Sequence, residues 1–239
     1  MRTNKVKSRI RTGQVACGVG FNFKSLQLVE LVGLLGFDYI FLDGEHGVFT
    51  LADIEEMCMM ADRMGVTPLA RVPNNQPSTI LQFLDRGVLG ILGPHIVTRA
   101  DVEALVKACK FAPQGIRSFT GHRVMEYARP EDASKLMAQA NDEVMVSALI
   151  EDADALKNLP EILSVEGLDV LSFGPFDLSQ SLGYPGVVKH PKVVAAMDVA
   201  TAQIRASGKV FGPDRMQATS IIELVSQGGR EFLRKARGG

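Results

Sequence analysis

Short apolar runs alternate with stretches of helical periodicity from one end of the chain to the other. That pattern predicts a parallel α/β fold and not segregated layers of helices and strands. The apolar runs at 14–21, 38–42, 67–71, 90–96, 144–150, 170–173 and 209–211 are the expected strands. Helical spacing recurs over 25–35, 50–65, 76–86, 99–111, 133–140, 153–163, 191–207 and 216–226. Local punctuation agrees: Asp53 stands three residues after Thr50 as in a capping box, Gly87 closes one helix, and Pro191 follows His190 where another begins. Residues 228–239 are left for an eighth strand, with little room for a helix after it. No repeat or low-complexity linker interrupts the pattern, so 1–239 reads as one domain. Residues 113–129 are a long irregular stretch rich in Gly, Arg and aromatic residues. A loop of that length in a compact domain is more often functional than idle, and it is expected over the active face.

Composition changes this picture little. Hydrophobic residues make up 46% of the 239 residues and charged residues 22%, which excludes a disordered chain and suits a single α/β barrel. A net charge of -1 gives no support for a surface that binds nucleic acid or an anionic membrane. The basic ends, 2–11 and 230–237, read as solvated termini. Cys17, Cys58 and Cys109 lie far apart with neither disulfide-framework nor zinc-ligand spacing, as fits a reducing cytoplasm. The basic start lacks the apolar stretch of a signal peptide, and no later run approaches membrane-spanning length. A cytoplasmic protein is therefore expected.

The chemistry sits just past the apolar runs. Asp43-Gly44-Glu45-His46, Arg71-Val72-Pro73, Ile150-Glu151 and Gly174-Pro175-Phe176-Asp177 each follow an expected strand. In a parallel barrel the strand ends converge on one face, where such folds keep their active sites. Glu151 and Asp177 are the oxygen donors a hard divalent cation needs, and two protein ligands leave positions open for substrate. Each acid also reads as a cap of the following helix. His46 follows Asp43 and Glu45, either of which could fix its tautomer and raise its basicity, although a loop histidine can equally be solvated. Arg71 can clamp a carboxylate or steady an oxyanion, or form a plain salt bridge to a barrel acid.

The strings FDYIFLDGEH, LARVPNNQPSTILQFLDRG, APQGIRS and LPEILSVEGLDVLSFGPFDLSQSLGYPG closely resemble the HpcH/HpaI family of metal-dependent pyruvate aldolases, over about residues 18–208. The resemblance implies a TIM (β/α)8 barrel, here with a shortened C-terminal end. It also implies a metal, Mg²⁺ or Mn²⁺ with Co²⁺ a further choice, held by Glu151 and Asp177 and polarising a 2-oxo acid. By the same resemblance Arg71 binds the pyruvate moiety, His46 with Asp43 handles the hydroxyl proton through water, and Asp85 reaches a neighbouring subunit's site. Gly174, Pro175, Phe176 and Leu149 then line the oxo-acid pocket, and a homo-oligomer, trimer or hexamer, is expected. Departures stand beside these matches. Leu149 replaces a glutamine common two residues before the metal-binding glutamate, Phe176 replaces an alanine and should reshape the pocket, and the short C-terminus leaves the family's interface helix open. His95 and His122 are atypical too; a surface imidazole is the favoured reading of His95, while His122 stays open between that and binding an acidic substrate tail. The resulting expectation is a lyase that cleaves a 4-hydroxy-2-oxo acid to pyruvate, or a close 2-oxo acid, and an aldehyde. The alternatives are an oxaloacetate-type decarboxylase and a non-catalytic binding protein on a decayed barrel.

Overall fold

A computed structural model of the chain describes residues 2–128 and 132–238. After an opening helix α1 (Lys5–Arg11), the strands are β1 (Ala16–Phe21), β2 (Tyr39–Asp43), β3 (Thr67–Arg71), β4 (Gly90–Gly93), β5 (Met145–Ile150), β6 (Val170–Phe173), β7 (Val210–Phe211) and β8 (Met216–Ser220). All pair in parallel, in the order β7-β6-β5-β4-β3-β2-β1-β8, and the sheet curls into a TIM-like barrel. Among the described residues no ladder joins β7 to β8, so a seam remains there. The intervening helices are α2 (Leu26–Leu34), α3 (Leu51–Arg63), α4 (Pro77–Arg86), α5 (Arg99–Cys109), α6 (Ala133–Glu143), α7 (Ala153–Lys157), α8 (Leu159–Leu163), α9 (Pro175–Ser181), α10 (Pro191–Ala206), α11 (Gly212–Arg215) and α12 (Ile221–Arg237). No helix among the described residues is long and apolar enough to cross a membrane.

Strand alternation sorts side chains into two cores. Ile40, Leu42, Ala70, Ile91, Val146, Ala148, Ile150 and Leu171 face outward and pack under the helices. Tyr39, Leu69, Met145 and Val170 face inward with Val6 of α1 beneath them. Gly18 admits the Tyr39 ring, since a β-carbon there would come within 2.3 Å of it. Above this plug the interior keeps a cavity of about 230 Å³ bordered by Phe41, Leu92, Ser147, Ser172 and Met216. Continued two residues along the same inward face, the alternation reaches Asp43 on β2 and Arg71 on β3, then Glu151 just beyond β5 and Gly174 just beyond β6.

Most elements lie where the pattern placed them, and the Thr50–Asp53 capping box is present. Several expectations are corrected. The eighth strand is Met216–Ser220, which 216–226 presented as helix, and 221–237 is a full eighth-unit helix. A five-residue exposed strand carries no apolar alternation to announce it, so the helical stripe of α12 absorbed it. The stretch 153–163 is two helices, broken at Asn158 ahead of Pro160. The N-terminal residues are not a solvated tail: Asn4 is buried, donates to the carbonyls of Leu89 (2.9 Å) and Glu143 (3.0 Å), and fixes α1 across the N-terminal end of the barrel.

The irregular stretch after α5 does not cover the active face. Arg123 pairs with Asp62 and donates to the Arg86 carbonyl at 3.0 Å, at the last turns of α3 and α4. Helices run antiparallel to the strands they follow, so a segment leaving the C-terminus of α5 starts at the N-terminal end of the barrel, opposite the strand ends. Residue 129, the last of the expected loop, lies outside the described residues.

Candidate active site

Four neighbouring segments bring the polar signatures together at the C-terminal ends of the strands. Arg71, the last residue of β3, is level with Asp43, the last of β2. Its guanidinium grips Asp43 at both oxygens, Nε to Oδ1 at 3.0 Å and Nη2 to Oδ2 at 2.7 Å, while Nη1 reaches Glu45 Oε2 at 2.9 Å. Burial alone would raise the Asp43 carboxyl, but Arg71 and the main-chain N–H groups of His46 and Glu45 outweigh it and hold it below its ordinary value. Burial likewise works against the Arg71 cation, and the hydrogen bond and charge of Asp43, with the charges of Glu45 and Glu151, more than offset it.

Glu151 follows β5 and is 4% exposed. Burial pushes its carboxyl up, and the nearby charges of Asp177 and Glu45 push the same way against His95. It is not a helix cap: Asp152 takes that place, accepting from the Asp154 N–H at 2.7 Å. Asp177 lies in the first turn of α9, whose cap position is Gly174. A β-carbon on Gly174 would come within 2.4 Å of Glu151 Oε2, so the Gly-Pro turn can lie against that oxygen only because it carries no side chain. A cavity of about 310 Å³ opens here, lined by His95, Glu151, Asp152, Asp177, Gln180 and Ser181.

The donor chemistry fits a hard cation. A buried carboxylate is driven towards protonation by two other acids, and a divalent ion relieves that repulsion where a proton would otherwise have to. Among the described residues no three His, Cys, Asp or Glu side chains gather as a metal cluster. Glu151 and Asp177 are two oxygen donors at this cavity, a set that suits an ion which keeps water in its shell.

Other expected residues fall differently. His46 is largely exposed; its N–H donates to Asp43 Oδ1 at 3.2 Å, and its ring lies 4.0 Å from Glu45 Oε2. Asp43 thus orients Arg71 and the turn, not the imidazole. Leu149 faces inward, is 6% exposed and pairs in register with Ser172. Phe176 is 66% exposed and does not line the cavity beside Glu151, so it does not narrow that cavity as the sequence suggested. Its place in the first turn of α9 turns the ring away to solvent. Asp85 sits in the last turn of α4, buried against Arg117 at 3.1 Å with His122 at 4.0 Å, remote from this cluster within the same chain.

Two residues take parts that the sequence reading did not give them. Glu45 is the second carboxylate on Arg71, and His95, although its side chain is 65% exposed, also contacts two strand-end carboxylates. His95 donates its main-chain N–H to Glu151 Oε1 at 2.7 Å, and its ring Nε2 is 3.0 Å from Glu45 Oε1. The Gly93-Pro94 turn directly past β4 was the available signal, since it is the strand end adjacent to β3 and β5.

The chain is similar in sequence and fold to known proteins. A 2-keto-3-deoxy-L-rhamnonate aldolase of Escherichia coli is 35% identical over 210 residues, covering 88% of this chain and 78% of that protein. An HpcH/HpaI aldolase from Desulfitobacterium hafniense shares the fold with a TM-score of 0.88 at 24% identity, over 97% of this chain and 96% of that one. An HpcH/HpaI aldolase/citrate lyase family protein from Burkholderia cenocepacia gives a TM-score of 0.90 at 25% identity, over 98% and 100% of the two chains. The model of the HpcH/HpaI aldolase/citrate lyase family, a family of carbon–carbon lyases, matches residues 18–237, and the chain belongs to that family.

Proposed function

We propose that the chain is a divalent-metal-dependent lyase that reversibly cleaves a 4-hydroxy-2-oxo acid to pyruvate, or a close 2-oxo acid, and an aldehyde. The observation that carries the reading is the division of the strand-end acids into two kinds. Asp43 and Glu45 share one arginine, while Glu151 has a second acid beside it and no arginine or lysine in contact. One half is built to face an anion and the other to take up a cation, which together suit a 2-oxo carboxylate.

A divalent ion held by Glu151 and Asp177 would supply Lewis-acid stabilisation of charge on the oxo-acid oxygens. Arg71, held rigid by Asp43 and Glu45, faces the negative oxygen that develops as the C3–C4 bond breaks and its electron pair passes to the pyruvate enolate. His46 stands at the open side of the site, where it takes the C4 hydroxyl proton through water; the aldehyde then leaves and C3 is reprotonated. Leu149 presents a methyl-bearing surface where an amide would offer a hydrogen bond, favouring an oxo-acid half with an apolar substituent. Asp85 enters as a contribution to a neighbouring subunit of a homo-oligomer.

The test is pyruvate release from a panel of 4-hydroxy-2-oxo acids and from oxaloacetate, before and after chelation and on adding back Mg²⁺, Mn²⁺ or Co²⁺. Activity should vanish with the metal and return with it. Full activity after exhaustive chelation overturns the mechanism, and release from oxaloacetate alone moves the assignment to a decarboxylase.

A further inference from the structure

The route by which Glu151 is oriented runs through a single peptide bond. Asn75, in the β3–α4 connection, donates from Nδ2 to the Pro94 carbonyl at 2.7 Å. The other end of that same peptide unit is the His95 N–H, which donates to Glu151 Oε1 at 2.7 Å. A peptide is planar and its C=O and N–H point in opposite directions, so fixing the carbonyl from one side aims the N–H to the other. Gly93 makes the arrangement possible, because a β-carbon there would lie 2.7 Å from Asn75 Oδ1. That Oδ1 is itself buried with no partner, so the bond to Pro94 is the side chain's hydrogen-bonding contribution at this position.

His95 continues the device in its side chain. It adopts φ +52°, a left-handed conformation uncommon outside glycine, and its ring, largely exposed, contacts two strand-end carboxylates. Nδ1 lies 3.1 Å from Glu151 Oε1, and Nε2 is hydrogen-bonded to Glu45 Oε1 at 3.0 Å. Each carboxylate therefore has one oxygen assigned to His95 and the other left for a different task. Glu45 gives Oε2 to Arg71 at 2.9 Å. Glu151 turns Oε2 towards Gly174 and the turn that leads to Asp177.

We infer that Asn75 and His95 are positioning residues, the first acting through the Pro94–His95 peptide to aim Glu151 Oε2 at the cation, the second clasping Glu45 so that Arg71 is held in register with it. The inference rests on the metal-dependent reading of the site, and it separates two functions. Asn75 acts on metal affinity, while the His95 ring, although its Nδ1 also lies 3.1 Å from Glu151 Oε1, acts chiefly on binding of the oxo acid through its bond to Glu45. Backbone strain at a position bridging two functional carboxylates is consistent with such a role.

The experiment measures Mn²⁺ binding to the metal-free protein by electron paramagnetic resonance without substrate, then pyruvate binding to the Mn²⁺-saturated protein by calorimetry. Wild type and Glu151→Gln come first: if wild type binds no Mn²⁺, or Glu151→Gln binds it equally, the metal reading itself fails. With that established, Asn75→Ala should weaken Mn²⁺ binding by about ten- to a hundredfold, the usual consequence of removing a group that orients a metal ligand. His95→Gly keeps the main-chain donor and accommodates the positive φ, so its Mn²⁺ affinity should stay within about threefold of wild type while pyruvate binds about tenfold more weakly. His95→Asn, which tolerates the left-handed backbone but cannot reach Glu45 with an imidazole, should follow His95→Gly. Wild-type Mn²⁺ affinity in a folded Asn75→Ala protein overturns the role of the peptide. If Asn75→Ala does not fold, the two His95 variants decide: a loss of Mn²⁺ affinity equal to the loss of pyruvate affinity refutes the division of labour.

Discussion

Replacing Arg71 by methionine takes a cation from between Asp43 and Glu45 while keeping an apolar stem of similar reach. The guanidinium makes a two-pronged contact with Asp43, at 3.0 and 2.7 Å, and a third contact with Glu45 at 2.9 Å. The side chains involved are 13–21% exposed, so the cluster lies between the surface and the interior cases. Exposed pairs contribute about 0–1 kcal/mol and removing one partner of a buried pair costs about 3–5 kcal/mol, which brackets the loss here at about 2–3 kcal/mol near pH 7. For a chain of this length that corresponds to a fall in Tm of about 5–10 °C. The pH dependence carries the sharper test. In the wild type Asp43 is held below its ordinary value, so its stabilising contribution is complete above the ordinary carboxyl range and is lost as pH falls through the lower folded value. Without Arg71 the burial of Asp43 is opposed only by main-chain N–H groups, and its charge becomes a cost that protonation removes. The gap in Tm between the two proteins, measured by calorimetry at one protein concentration without metal, should therefore be widest near pH 7 and narrow towards pH 4. A gap below about 1 kcal/mol at pH 7, or one that does not change with pH, refutes the argument that Arg71 is held by charge pairing.

Other consequences can be checked with the same protein. Glu151→Gln should leave the metal-free protein at least as stable as wild type at neutral pH, because a carboxyl raised by burial and like charges costs stability while ionised and is relieved as pH falls. Saturating Mn²⁺, at about a hundredfold excess over Kd, should stabilise wild type by about 2.7 kcal/mol and the variant not at all; equal stabilisation of both would remove Glu151 from the metal site. His46→Ala should lower aldol cleavage about a hundredfold or more while pyruvate still binds and still exchanges its methyl protons; matched losses of binding and rate would make His46 a substrate anchor. Leu149→Gln should gain pyruvate affinity as a donor by about 1 kcal/mol, whereas Phe176→Ala, whose ring lies in solvent, should leave donor preference unchanged. A reversed order of the two effects in a panel of 2-oxo acids would show that the pocket extends to α9.

Much of the fold was legible because burial writes itself into the sequence with fixed periods. The run 67–71 ends where β3 ends, and 170–173 where β6 ends, since both strands are bounded by turn residues and bury both faces. Legibility failed where tertiary context replaces the period. β8 lies at the open seam, with Gln217 and Ala218 exposed, so nothing in its composition distinguishes it from the helix that follows. The site was legible to the extent that each residue ends an apolar run. His95 was only partly so: the Gly93-Pro94 turn marks its strand end, but its role depends on a left-handed backbone and on an asparagine twenty residues earlier, and neither has a local signature. The position of the 113–128 segment also required topology: only the antiparallel direction of α5 says at which end of the barrel it starts.

The electrostatic layout also explains why these carboxylates are divided among three strand ends instead of clustered on one loop. Asp43, Glu45, Glu151 and Asp177 with one arginine leave the site acidic, an arrangement that repels an anionic substrate until a cation enters. Placing Asp43 and Arg71 in register on adjacent strands pairs their charges and fixes the guanidinium, so its remaining donor capacity is directional. Placing Glu151 two strands away leaves it paired with Asp177 and without an arginine of its own. The ordered consequence is that metal comes first: the cation cancels the charges of Glu151 and Asp177, and only then do the directed Arg71 donors and the ion together offer sites to a 2-oxo carboxylate. Rigid strands can hold that imbalance because the barrel beneath is packed on both of its faces, whereas a flexible loop would relax and let the acids separate.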